Sequence, residues 1–264
     1  MELGLSGKRA LVSGSTAGIG YAAARALAAE GAQVILNGRT QARVHQAVTR
    51  LKTEVPGALV SGIAQDLGNA EGCQALFHQL PDVDVLVNNL GIFEPKAFEA
   101  IADADWLRFF EVNVLSGVRL SRQYLAGMRT RNWGRVVFVS SASALQIPAE
   151  MIHYGMTKTA QLSISRGLAQ LTRGTNVTVN TIMPGPTKSR GVGDFLEQLA
   201  KGGNSSADEV EKAFFRDGRP SSLLQRFASV DEIATTVAYF ASPLSSATNG
   251  AAIRADGGIV NSIV

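Results

Sequence analysis

Strand-like and helix-like segments alternate along this sequence almost from end to end, and no other feature restricts the possible folds as much. Short apolar runs at Arg9–Ser13, Gln33–Asn37, Ala58–Ala64, Val83–Val87, Arg135–Ser140, Val177–Ile182 and Ala251–Ala255 read as strands. Apolar residues at helical spacing between them predict helices over 18–29, 40–54, 69–79, 103–111, 114–130, 150–172 and 230–241. Strands that alternate with helices pair in parallel, joined by right-handed crossovers, and helices cover both faces of the sheet. Burial on both faces explains why the runs are continuously apolar rather than alternating. The expectation is a doubly wound α/β fold in three layers, in a single domain. One stretch breaks the rhythm. Residues 186–226 hold Gly191, Gly193, Gly202, Gly203 and Gly218, with short helical pieces at Asp194–Ala200 and Ala207–Phe215. Long interruptions of this kind often serve as lids or binding loops, and a plain surface excursion is the other reading.

Composition narrows the class. The chain has 264 residues, 45% of them hydrophobic and 18% charged, enough to build a sizeable core. Its one cysteine, Cys73, excludes an intrachain disulfide and a cysteine-built zinc site. Three scattered histidines, His45, His78 and His153, argue against a metal centre. The net charge of +3 comes without a Lys/Arg block, so nucleic acid is not expected as a partner. No apolar run nears the roughly 20 residues that span a bilayer. The start, Met1 to Lys8, lacks the basic-then-apolar order of a signal peptide, so a cytoplasmic location is expected.

Two patterns carry chemistry. Gly14-Ser15-Thr16-Ala17-Gly18-Ile19-Gly20 lies between the first predicted strand and the first helix. A glycine turn there brings backbone close to a pyrophosphate and aims helix N–H groups at it, although the spacing is GxxxGxG rather than GxGxxG. Tyr154 and Lys158 stand four apart at the start of a long predicted helix, on one face. An ammonium beside a phenol lowers its pKa from about 10, toward the range useful for proton exchange. Ser141 closes the preceding strand, where strand ends and helix starts converge on a site. Taken singly, each has an ordinary reading: a tight turn, a surface pair, a strand-end serine.

The ordered set resembles the short-chain dehydrogenase/reductase family, in its branch of about 250 residues. The motifs as they stand are Ser13-Gly14-Ser15-Thr16-Ala17-Gly18-Ile19-Gly20, Asp66-Leu67, Asn88-Asn89-Leu90-Gly91, Asn113-Val114-Leu115-Ser116-Gly117, Ser141, Tyr154 with Lys158, Pro184-Gly185 and Asp256-Gly257-Gly258. They span essentially the whole chain. The resemblance implies a Rossmann-type sheet of seven strands and hydride transfer between a nicotinamide cofactor and a carbonyl/alcohol pair. It implies Tyr154 as general acid/base, Lys158 as the group that tunes it and bonds the ribose, and Ser141 as the donor that orients the substrate oxygen. Asn113 would hold a water linking Lys158 to solvent. Gly14, Ser15, Thr16, Gly18, Ile19 and Gly20 would bind phosphates and ribose, and Asp66, beside Leu67, would meet the adenine. Asn88 and Gly91 would flank the ribose, Pro184 and Gly185 would back the nicotinamide, and Thr187 or Ser189 would contact its carboxamide or the phosphates. Leu90 and Thr157 stand where alanine and serine are frequent.

The second strand ends in Asn37-Gly38-Arg39-Thr40, with no Asp or Glu between Gly31 and Lys52. NAD-selective folds place an acid here for the ribose 2′-OH, whereas Arg39 suits a 2′-phosphate, with Asn37 and Thr40 adding neutral hydrogen bonds. NADP(H) is therefore expected over NAD(H), against which Ala17 stands where many NADP users carry a second basic residue. The expected substrate is a small carbonyl compound or alcohol, in a pocket built from Ile92, Phe93, Leu145, Ile147, Pro148 and the 186–226 stretch. The family resemblance also implies a homotetramer, with helices 114–130 and 150–172 paired through Leu115, Val118, Leu120, Leu162 or Ile164. Two rivals stand beside this reading: an NAD-dependent alcohol or sugar dehydrogenase, and a nucleotide-sensing protein without turnover. Asn113, Ser141, Tyr154 and Lys158 together speak against the latter, since a binder needs no proton relay.

Overall fold

A computed structural model describes residues 2–189, 192–193 and 206–263. Seven parallel strands form one sheet in the order β3-β2-β1-β4-β5-β6-β9. They are β1 (Arg9–Val12), β2 (Gln33–Gly38), β3 (Val60–Ala64), β4 (Val85–Asn88), β5 (Gly134–Val139), β6 (Val177–Pro184) and β9 (Ala252–Ala255). The register pairs Val12 with Leu36 on one side and Val87 on the other, so strand order reverses at β1. Loops leaving the carboxyl ends of β1 and β4 part there and open a crevice.

Side chains alternate across this sheet and feed two cores. Ala10, Val12, Val34, Leu36, Val85, Val87, Val137 and Ile182 pack on one face with α1 (Gly18–Ala29), α2 (Gln41–Glu54) and the helix Val230–Ala241. Leu11, Ile35, Leu86, Val136, Phe138 and Val179 pack on the other, under α3 (Ala70–Gln79), α5 (Ser116–Thr130) and α6 (Ile152–Gln170). Burial on both faces makes a single substitution in β1 or β4 costly in either layer. The helix starts follow local chemistry: Thr40 and Asn69 cap α2 and α3 through side-chain oxygens that accept from Arg43 N and Gly72 N.

Three expectations change. The helices predicted at 103–111 and 114–130 form one run, because α4 (Asp103–Phe110) enters α5 through a wider π turn, Glu111–Leu115, where Ser116 N bonds to Glu111 O. Nothing between them breaks a helix; an extra residue is absorbed in the turn instead. Leu120, expected at a subunit contact, has no exposed surface and belongs to the core under α5. In the 186–226 stretch, the piece predicted at Asp194–Ala200 lies outside the described residues. The other is a helix, α7 (Ala207–Ala213), that widens into Phe214–Gly218. Thr187–Lys188 (β7) pairs with Ala228–Ser229 (β8), and Phe214, Phe215 and Phe227 form a small core with Val192 and Val210.

Candidate active site

The glycine turn is built to be held. Gly14 and Gly18 take φ of +61° and +60°, where side chains with a Cβ are strained. A Cβ on Gly20 would lie 2.3 Å from Asn89 Nδ2, so the glycine makes room for that amide. Asn89 Nδ2 donates to the carbonyls of Ser13 (2.9 Å) and Gly14 (3.0 Å). Ser13 Oγ accepts from the backbone N–H groups of Asn89 and Leu90, both at 3.0 Å. From the other side, Asn37 Oδ1 accepts from Gly14 N at 3.1 Å, while its Nδ2 donates to the carbonyls of Ile63 and Gln65. Buried Asn37 is thus occupied inside the protein, which corrects its expected role toward a 2′-phosphate. Ser15 N donates to Asn37 O, and Ser15 Oγ donates to Val12 O. Beyond the turn, α1 starts at Ala17 with no side-chain cap and no acid in its first turn, leaving its N–H groups and dipole free for an anion.

The neighbouring positions serve in different ways. A Cβ on Gly38 would meet Thr16 Cγ2 at 2.5 Å and Val44 Cγ2 at 3.2 Å, so any side chain there, an acid included, is crowded. Arg39 is exposed and has no ion pair or hydrogen bond among the described residues. Asp66 accepts from Gly68 N at 3.0 Å, while Leu67 is buried in the core and offers only backbone. Asn88 donates to Ser121 Oγ, which ties β4 to α5. A Cβ on Gly185 would sit 2.4 Å from Asp256 O, so the Pro184-Gly185 turn presses on the Asp256-Gly257-Gly258 loop. Asp256 closes that loop by accepting from Gly258 N and Val260 N. Thr187 Oγ1 donates to Gly185 O, and Ser189 packs against Gly18 with Cβ about 3.8 Å from where a Cβ there would lie.

Ser141, Tyr154 and Lys158 converge where β5 ends and α6 begins, and Ser140 Oγ, donating to Lys158 O at 2.9 Å, joins the two elements. Ser141 Oγ accepts from Ser143 N, and its hydroxyl favours the ionised form of the Tyr154 phenol beside it. The Phe93 ring stands edge-on to the Tyr154 ring at 6.4 Å. Lys158 Nζ donates to Val139 O at 3.0 Å and lies 5.5 Å from the Tyr154 ring centroid. The expected depression of the phenol by Lys158 is not what the chain alone displays. Burial pushes the Tyr154 phenol above its ordinary value against the downward pull of Ser141, and burial pushes the Lys158 ammonium down to about 8. The Asn113 side chain is fully engaged. Its Oδ1 accepts from Ile92 N (2.7 Å), and its Nδ2 donates to Ile92 O (2.9 Å) and Thr157 Oγ1 (3.0 Å). His153, next to Tyr154 in sequence, turns away into a pocket of Trp106 and Phe109, where neither ring nitrogen has a partner among the described residues.

The structure also brings in three amides to which the sequence reading gave no role in building the site: Asn37, Asn89 and Gln161. Asn89 stood inside a motif, and its neighbour alone received a role. Among the described residues, no group of three His, Cys, Asp or Glu could hold a metal, and no helix is long and apolar enough to cross a membrane.

A doubly wound sheet with a glycine turn after β1 and a Ser–Tyr–Lys cluster after β5 defines a class of nicotinamide-dependent oxidoreductases. The short chain dehydrogenase profile matches residues 8–200, and the chain belongs to the short-chain dehydrogenase/reductase family, as a NAD(P)-dependent enzyme of it. It is 54% identical over 263 residues to the uncharacterized oxidoreductase YvaG of Bacillus subtilis, covering 100% of both chains. Among solved structures it is similar to L-sorbose reductase from Gluconobacter frateurii complexed with NADPH and L-sorbose, with a TM-score of 0.92, 30% identity and full coverage of both chains. It also resembles a 3-oxoacyl (acyl-carrier-protein) reductase from Agrobacterium tumefaciens with NADP bound, with a TM-score of 0.86, 30% identity and coverage of 97% and 96%.

Proposed function

We propose that the chain reduces a small carbonyl substrate with NADPH, using Tyr154 as the proton donor. The observation that carries this reading is the Tyr154 phenol, beside Ser141 and one helical turn from buried Lys158, in the crevice that also holds the uncapped start of α1. The residues fit a dinucleotide. The α1 N-terminus and the glycine turn would take the pyrophosphate, Lys158 has an N–H left for a ribose hydroxyl, and Pro184-Gly185 would back the nicotinamide. When bound, the cofactor supplies the hydride. Tyr154 gives its proton to the carbonyl oxygen, and a phenol held neutral by burial is the form able to do so. Ser141 donates to the same oxygen as negative charge develops on it. Apolar Phe93, Leu145 and Ile147, all exposed, would border the substrate.

The NADP preference rests on Arg39, whose guanidinium is uncommitted among the described residues, and on Gly38, where a side chain such as the acid that would bind a 2′-hydroxyl would crowd the Thr16 methyl. NADPH binding in fellow family members of known structure supports it. Arg39→Ala is expected to weaken NADPH by about 10–100-fold and NADH by much less. Equal weakening of both in a fluorescence titration, or a higher wild-type kcat/KM with NADH, rejects the preference. L-sorbose and a 3-oxoacyl thioester are the first substrates to assay, since similar proteins are named for them.

The segment 206–226 acts as a lid in this proposal. Arg219 pairs with Glu150 at 2.9 Å and Gln146 donates to Ser221 at 3.3 Å, fastening the segment beside Ser141 and Tyr154. Backbone amides of 206–226 should exchange faster than those of the sheet, and slow when substrate and cofactor are added. Assembly as a homotetramer through α5 and α6 remains part of this proposal, and Leu115, Val118, Leu162 and Ile164 on those helices or at their start are partly exposed. A monomer mass in light scattering at micromolar concentration refutes it.

A further inference from the structure

Lys158 does not stand alone on its helix. Gln161, one turn further along α6 and 2% exposed, turns its side-chain amide into the space between Lys158 and the π turn. Gln161 Nε2 donates to Asn113 O at 2.6 Å, and Gln161 Oε1 accepts from Lys158 Nζ at 3.4 Å. Only this orientation of the amide satisfies both neighbours, because its reversal would set donor against donor and acceptor against acceptor. The π turn explains why a backbone carbonyl is on offer. Its ladder is shifted, and side chains meet two of its carbonyls: Ser116 Oγ donates to Val112 O at 2.6 Å, and Gln161 donates to Asn113 O.

We propose that Gln161 is a positioning residue for Lys158, anchoring the ammonium to the backbone of the π turn and holding it charged beneath Tyr154. The proposal rests on the reading of Lys158 given under the proposed function. Lys158 has three N–H donors. Val139 O takes one, Gln161 Oε1 another, and the third remains for a ligand. Gln161 supplies an acceptor whose dipole favours the ammonium over the amine, in a setting where burial favours the amine. Groups facing Lys158 from elsewhere are neutral: Val139 O on β5, Gly91 after β4 and the Asn113 amide in the π turn. Tyr154, on its own helix, is the one other titratable group against it among the described residues. An amide neither takes up nor releases a proton near neutral pH, so this link orients Lys158 without conducting protons from it toward Asn113 O.

The test is the pH dependence of NADPH binding, followed by fluorescence without substrate, in the wild type, Gln161→Met and Gln161→Glu. Methionine keeps the shape and removes both hydrogen bonds; glutamate places a carboxylate beside the ammonium. The limb on which binding is lost at high pH should move down in Gln161→Met and up in Gln161→Glu, each by about half a pH unit or more. A residue that only fills space would lower thermal stability in both variants and leave the limb in place. A limb that stays put in either folded variant overturns the proposal. Failure of wild-type NADPH binding would instead overturn the proposed function, so the two failures are separable.

Discussion

Tyr154→Phe is expected to lower carbonyl reduction by about 10²–10⁴-fold while NADPH affinity changes by no more than a few-fold. The substitution removes one oxygen, its interaction with Ser141 and the proton it would deliver, and leaves the ring packed edge-on against Phe93. The glycine turn and the start of α1 are untouched, so cofactor binding persists. Turnover at half the wild-type rate would remove Tyr154 from the role of proton donor. The pH profile carries a sign as well. With the phenol held above its ordinary value, reduction should keep a protonated donor throughout the neutral range and fail only in alkali.

Lys158→Met should produce a protein that is inactive and yet more stable at neutral pH. An ammonium taken from water into this site is pushed from the ordinary lysine range down to about 8. Below that pH the folded protein carries a buried charge at a cost, and the unfolded chain carries the same charge in water. Between pH 8 and the unfolded lysine value of about 10.4, the unfolded state binds the extra proton. Stability from this group is therefore fully present above the unfolded value and is lost as pH falls through about 8. Methionine removes the penalty, worth about 3 kcal/mol at most, less whatever Val139 O and Gln161 lose as partners. A rise in Tm of several degrees at pH 7, fading toward pH 10, is the expected result. NADPH binding should weaken in the same variant, because a donor to the ribose is gone. A variant that is less stable at pH 7 and unchanged in its pH dependence would show that Lys158 is not strained by burial.

The layered sheet and its seven strands were legible because burial on both faces leaves continuous apolar runs, and most boundaries lie within two residues of those read from the sequence. Tyr154, Lys158 and Ser141 were legible for a different reason, since helical spacing and strand ends are local. What stayed hidden is non-local. Asn89 and Asn37 hold the glycine turn from other strands, and Gln161 reaches Asn113 across 48 residues, so no spacing announces them. The continuous α4–α5 run was hidden because a π turn has no breaker to mark it. The direction of the Tyr154 shift was hidden too. A neighbouring lysine predicts a fall, but burial, which depends on everything packed around the phenol, dominates, and the downward pull comes from Ser141.

The clamped glycine turn also has a thermodynamic meaning. Gly14, Gly18 and Gly20 lie in one short stretch, and an unheld stretch of that composition would sample many backbone states. Freezing it at the moment of contact would consume part of the attraction between turn and pyrophosphate. Here Asn37, Asn89 and Ser13 have already selected one conformation, by bonds made entirely within the protein. The loss of entropy falls on folding, where a large core offsets it, and a nucleotide bound as proposed would meet a turn already fixed in one conformation. Weakening of the nucleotide by Asn89→Ala would then report the lost hold of Asn89 on the turn.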